Sequence, residues 1–205
     1  MKNKKGSWLI RIGLLLIVAA LGLVIYNIQD EKRAKKSVEQ AVTRLEKVVE
    51  EAPERKKEEI PDYILNPDME MPVKKIDGQD YIATLEILSL GLKLPVISEW
   101  SYPRLKIAPC RYKGSAYTDD LIIAAHHYPS HFGNLKNLRE GDQIVLTDMA
   151  GNRFTYETAE LETVMPTDIS QMESGEWDLT LFTCTIGGQS RVTVRCIRIP
   201  DPMAE

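Results

Sequence analysis

The rhythm of apolar positions changes three times along the chain. Residues 7–28 (SWLIRIGLLLIVAALGLVIYNI) are apolar almost without interruption, and Arg11 is the single charge among these 22 residues. At about 1.5 Å of rise per residue, a helix of that length matches a hydrocarbon core roughly 30 Å thick. Arg11 lies near the start, where its stem can carry the guanidinium to the headgroups, and Trp8 and Tyr26 stand near the two ends, where aromatic belts form. A cleaved signal peptide has a shorter core, about 7–15 residues, closed by small residues. The GLVIY sequence at 22–26 provides no such site, so the pattern predicts an uncleaved anchor.

From 30 to 59 the rhythm becomes helical. Ala34, Val38, Ala41, Leu45, Val48 and Ala52 recur in steps of four and three, no glycine interrupts them, and Pro53 limits the helix. The stripe covers fewer than three heptads, so a spacer, a helix lying on its own domain and a self-associating helix are all compatible with it.

Beyond residue 80 the period shortens to two. Residues 81–88 (YIATLEIL) and 92–97 (LKLPVI) alternate, 121–125 (LIIAA) is the continuous run of a fully buried strand, and 143–147 (QIVLT) follows a Gly-Asp turn. The MAGN sequence at 149–152 predicts a hairpin turn into a strand over 153–158, and 179–184 (LTLFTC) and 191–199 (RVTVRCIRI) complete the set. About eight short strands in a barrel or sandwich follow from this spacing, with a short helical turn near 134–138.

The charge distribution sharpens the picture. The chain holds 26 basic and 30 acidic residues for a net charge of -4, unevenly spread. Residues 1–29 carry +4, residues 30–59 balance nine acids against nine bases, and residues 60–205 therefore carry -8. A phosphate backbone would be repelled by such a domain, which excludes a nucleic-acid partner. Basic residues flank both ends of the apolar run, so the positive-inside rule does not decide its orientation. Three cysteines without a Cys-x-x-Cys pair are too few for a disulfide scaffold or a zinc ribbon. No glycine-rich phosphate loop or repeat occurs, and no cofactor is predicted.

Reactive groups stand at two strand ends. His126 directly follows LIIAA, and Cys184 ends LTLFTC. A cysteine nucleophile needs a lowered thiol pKa or a nearby base, and a histidine supplies either. In the last strand, Arg191, Thr193 and Arg195 fall on one face and Val192, Val194 and Cys196 on the other, which reads as a solvated face opposite a core face. The intervening loop 185–190 (TIGGQS) is short enough for a hairpin that sets Arg191 beside Cys184, where its fork of donors can stabilise charge on a carbonyl oxygen. Arg195 is the less favoured partner because it lies further along.

These segments resemble the sortases, the cysteine transpeptidases of Gram-positive cell envelopes. TLFTC at 180–184 matches the family's T-L-x-T-C signature; AAHHY at 124–128 followed by SHFGNL at 130–135 looks like the segment around its catalytic histidine. Arg191 in RVTVR matches the arginine that opens the family's last strand, and residues 78–96 resemble its first two strands. The resemblance covers roughly residues 75–199. Alignment through Tyr128 selects His126 over His127, and Ala125 stands where many members have glycine. The stretch 164–177 is short, unlike the long helical insertion of the class that anchors haem-uptake proteins. No aspartate-aromatic lid motif of pilin-polymerising members occurs between 61 and 75, and the subclass stays open.

The resemblance implies an eight-stranded sortase-like β-barrel (residues 60–205), preceded by a cytoplasmic tail and transmembrane anchor (1–29) and a charged helical stalk (30–59). It further implies catalysis by His126, Cys184 and Arg191 on secreted surface proteins bearing a C-terminal sorting motif of the Leu-Pro-x-Thr-Gly type. The acyl group would pass to an amine acceptor, a peptidoglycan precursor or a lysine of another protein, outside a cell membrane that the chain crosses once. Competing readings are a metal site of His126, His127, His131 and Cys184, a disulfide using Cys184, and an anchored binding module without catalysis. Asp119 and Asp120 read as an acidic turn rather than a calcium site.

Overall fold

The computed structural model describes residues 4–50, 60–173 and 177–200. A single helix, α1 (Lys4–Glu50), runs through both the apolar stretch and the charged stripe. It is long and apolar enough to cross a membrane, and none of its apolar window, of mean hydropathy 2.6, is buried against the protein. The stripe beyond it behaves differently. Ala34, Val38, Ala41 and Leu45 are buried, because this face of α1 lies on the barrel wall. Of the three alternatives, the helix lying on its own domain is the one observed. The side chain of Val48, with Ala52 and Pro53, falls outside the described residues. Polar ties flank the seam: Lys93 reaches Glu46 at 2.7 Å, and Arg44 pairs with Asp77.

The strands are β1 (Lys74–Ile76), β2 (Gln79–Ile87), β3 (Leu92–Ile97), β4 (Cys110–Lys113), β5 (Leu121–Ala125), β6 (Gln143–Asp148), β7 (Arg153–Val164), β8 (Leu179–Cys184) and β9 (Arg191–Ile199). Their order is β1-β2-β3-β4-β5-β8-β9-β7-β6, and β2 also pairs with β6. That last pairing closes eight strands, β2 to β9, into a barrel and leaves β1 as an added strip on the first residues of β2. Closure removes the open edges that a sheet of this size would otherwise expose. Alternation places Leu85 and Ile87 inside while Thr84 and Glu86 are half-exposed. β5 is buried at all five positions, as its continuous apolar run predicts.

Two differences from the predicted strands have local causes. β7 continues to Val164, past the predicted end at 158, because a bulge between Thr158 and Glu160 absorbs the break in alternation. β4 (CRYK) is too short and too polar to be read from period alone. Between strands lie the short helices α2 (Asp62–Leu65), α3 (Tyr102–Leu105) and α4 (Ile169–Glu173), and a 3-10 turn at Leu135–Asn137 fills the place of the predicted helical turn.

Candidate active site

Three strand ends converge on one rim of the barrel. β5 and β8 are parallel neighbours that pair Ala125 with Thr183, so the next residues, His126 and Cys184, leave adjacent strands at the same level. β8 and β9 form the predicted hairpin and pair Cys184 with Arg191. At roughly 4.8 Å between strands, the backbone sets His126, Cys184 and Arg191 in a row with the cysteine in the middle. Thr183 locks the row: it is buried, and its Oγ1 donates to the Ala125 carbonyl at 2.8 Å. The connecting loop turns through Gly187 and Gly188, at φ 86° and 72°, a backbone region that favours glycine. Ser190 N donates to Thr185 Oγ1 at 3.1 Å across the loop's neck.

Cys184 is half-buried and opens onto a cleft of about 230 Å³ that Arg191 also lines. Phe182, two residues earlier and therefore on the same strand face, forms part of its floor. An aromatic wall extends from there: Tyr112 meets Phe182 edge-on at 5.5 Å, and Trp100 lies 5.8 Å from Tyr112. α4 supplies the facing side through Ile169 and Met172. Arg191 Nη1 donates to the Gly188 and Ser190 carbonyls at 3.2 and 3.1 Å, which orients the guanidinium and leaves other N–H donors of the fork for a ligand.

His126 is half-buried and lies outside the lining of that cleft; its Nε2 is buried with no hydrogen-bond partner among the described residues. Burial and then the Lys106 ammonium push its imidazole below the usual histidine range, while Asp30 acts in the opposite direction. The loop after it folds back tightly. The Tyr128 carbonyl accepts from the amides of His131 and Gly133, both at 2.9 Å. A Cβ at Gly133 would approach the Tyr128 carbonyl to 2.8 Å, so only glycine fits there. His127 lines a separate cleft against Asn27 and Asp30 of α1. His131 is fully buried, and burial pushes it down to about 4.

All three thiols are free, so Cys184 is not in a disulfide. Burial pushes Cys110 up to about 12 and raises Cys196 as well, which leaves both unreactive. Cys184 alone is accessible. Among the described residues no group of three His, Cys, Asp or Glu is placed to hold a metal. Asp120 Oδ1 accepts from the Ser115 amide at 2.9 Å and Asp119 pairs with Arg198 at 2.7 Å, so this acidic pair serves a turn. A larger, polar cleft of about 600 Å³ adjoins through Trp100 and Tyr112 but holds none of the reactive groups.

The β9 face with Thr193 and Arg195 is buried, not solvated, because α4 and its flanking loop cover it. Arg195 is 2% exposed, and all three of its nitrogens donate. Nε donates to Glu162 at 2.7 Å, Nη1 to the Met172 carbonyl at 2.9 Å and to Thr180 Oγ1 at 3.0 Å, and Nη2 to the Gln171 carbonyl at 2.6 Å. It fastens α4, and with it one wall of the cleft, to the barrel. The chemistry available at this rim is acyl transfer: an accessible thiol beside an oriented guanidinium, with an imidazole at the end of the adjacent strand.

Comparison with known proteins agrees with this chemistry. Residues 85–199 match the family model of the sortase domain. No curated protein matches the chain. Among solved structures, sortase C1 of Streptococcus suis is similar at 26% identity and a TM-score of 0.53, over 61% of this chain and 76% of that one. Sortase C1 of Streptococcus agalactiae is similar at 25% identity and a TM-score of 0.55, over 70% and 79%. Sortase C of Streptococcus pneumoniae, at 19% identity, shares the fold with a TM-score of 0.62 over 79% and 97%. With more than half its length inside that match and its eight strands closed as described, the chain belongs to the sortase family of cysteine transpeptidases.

Proposed function

We propose that Cys184, His126 and Arg191 are the catalytic residues, and that the enzyme transfers secreted proteins carrying a Leu-Pro-x-Thr-Gly-type sorting motif to an amine. The observation that carries this reading is the strand register: Cys184 pairs with Arg191 at the mouth of an aromatic-walled cleft, and the pairing of Thr183 with Ala125 sets it level with His126 on the adjacent strand. The Cys184 thiolate attacks the scissile carbonyl carbon. Arg191 donates to the oxygen on which negative charge develops. The C–N bond breaks as His126 protonates the leaving amine, and the acyl group remains on sulfur as a thioester. An acceptor amine, from a peptidoglycan precursor or a lysine of another protein, gives its proton to His126 and attacks the thioester; the new amide forms and the thiolate leaves. The apolar cleft floor suits the leucine and proline of such a motif.

The division of labour along the chain follows the same reading. Residues 1–29 form the cytoplasmic tail and membrane anchor, 30–59 the charged helical stalk, and 60–205 the extracellular catalytic barrel. The exposed apolar side chains of α1 from Trp8 to Ile28 support the anchor, since a soluble helix would bury such a face. The test uses the full chain in lipid nanodiscs with a panel of sorting-motif peptides and an amine, and mass spectrometry reads the products. Transfer to the amine, lost in Cys184→Ala while the fold is retained, is the expected result. Absence of product with every peptide contradicts the assignment and favours a non-catalytic binding module.

A further inference from the structure

We propose that Asp30 of α1 is a positioning residue for His126: its carboxylate holds Tyr128 against the imidazole and offsets the charge of Lys106 there. This rests on the reading of His126 as the acid–base group. Asp30 sits two residues beyond the apolar run, on the same helical stripe as Ala34, Val38, Ala41 and Leu45, which are buried on the barrel wall. That docking fixes both the rotation and the axial register of α1 at residue 30. Its carboxylate accepts the Tyr128 hydroxyl at 2.6 Å and pairs with Lys106 Nζ at 3.5 Å, and its side chain is only 18% exposed. The Tyr128 ring lies between two imidazoles, 5.0 Å from His126 and 5.4 Å from His131 by ring centroids.

The groups that face His126 can be counted by element. Lys106 follows α3, Tyr128 and His131 belong to its own loop, and Asp30 comes from α1; Cys184, the last residue of β8, and Arg191, the first of β9, are neighbours through the strand register. Among the described residues, Asp30 is the carboxylate that acts on this imidazole, and Lys106 and burial act against it. Arg33 in turn acts on Asp30 from the same helix. An imidazole that must both give and take a proton works best when it titrates near the working pH. Without Asp30, burial and Lys106 would go unopposed and the protonated form would become scarce. The helix that carries the membrane anchor thereby completes the proton-transfer site from outside the barrel.

The test uses full-length protein in nanodiscs. Side-chain NMR follows the three histidines, assigned by single His→Gln variants, as pH is varied. Asp30→Asn keeps an acceptor for Tyr128 but removes the charge. The His126 midpoint should fall, and kcat/KM near neutral pH should drop about tenfold for each unit of that fall, with KM unchanged. Lys106→Met should move the midpoint up, and the Asp30→Asn/Lys106→Met pair should return it toward the native position. A purely structural role for Asp30 would give no such rescue. The proposal is overturned if Asp30→Asn leaves the midpoint where it was, if the double variant fails to restore it, or if the midpoint moves while kcat/KM does not. Full transfer by His126→Gln would instead overturn the catalytic reading of His126, and the titrations would still report the coupling itself.

Discussion

Replacing Arg195 by methionine tests whether the cleft wall is fastened from behind. The side chain is 2% exposed and its donors serve Glu162, Thr180 and the carbonyls of Gln171 and Met172. Methionine restores most of the volume but none of the donors. Breaking a buried charged pair by removing one partner costs about 3–5 kcal/mol. The Glu162 side chain is 22% exposed and can regain water, which places the expected loss at the lower end, about 3 kcal/mol. The consequence for function is specific. A helix as short as α4 has little stability of its own, so its position depends on its ties to the barrel: Arg195, the Gln171 Nε2–Glu162 hydrogen bond, the buried Met172 side chain and the exposed Lys113–Glu173 pair. Met172 and Ile169 line the cleft from this helix. Loosening them should raise KM for a sorting-motif peptide about tenfold, equivalent to about 1.4 kcal/mol of lost binding, and leave kcat close to native. Urea denaturation followed by tryptophan fluorescence reads the first effect and steady-state transfer kinetics the second. Arg195→Lys, with one compact ammonium in place of a planar fork, should fall between the two. A stability loss below about 1 kcal/mol together with an unchanged KM would refute the clamp.

Other consequences can be measured separately. Leu45→Ala removes a side chain that is 1% exposed in the seam between α1 and the barrel, and should cost about 2–5 kcal/mol by denaturation; a negligible loss would mean that the seam does not form. Timed alkylation of the native protein should label Cys184 quickly and Cys110 and Cys196 only on unfolding, as peptide mapping would show; rapid labelling of either buried thiol contradicts the packing described. His131 is buried neutral, with its titration pushed down from 6.5 to about 4. Above pH 6.5 neither state binds the proton and stability is intact; as pH falls from 6.5 toward 4 the unfolded chain takes up the proton first, and stability should fall by on the order of 3 kcal/mol. Denaturation midpoints across that range should therefore decline less steeply in His131→Leu than in the native protein, and equal slopes would contradict the assignment.

Much of the candidate site's geometry was legible because its parts are local. The runs LIIAA and LTLFTC mark buried strands whose tips carry His126 and Cys184, and a six-residue Gly-Gly loop leaves little choice but the hairpin that pairs Cys184 with Arg191. What was not legible depends on long-range burial. The periodicity of α1 announced an apolar stripe but could not say what covers it; the barrel wall does. Alternation in RVTVR made Arg195 look solvated because α4, too short to show a helical period, is invisible in the pattern that would have revealed its cover. Asp30 carries no signal in any local pattern, because its partner is the Tyr128 hydroxyl 98 residues away.

Whether the sulfur of Cys184 carries the acyl group between donor and acceptor can be read from the mass of the intact protein. Full-length enzyme is mixed with a sorting-motif peptide in the absence of amine, quenched in acid and weighed intact. The expected result is a mass increase equal to the acyl fragment, mapped to Cys184, removed by hydroxylamine and absent from Cys184→Ala. Peptide cleavage or transfer that proceeds with Cys184→Ala, or an adduct on any other residue, would contradict it.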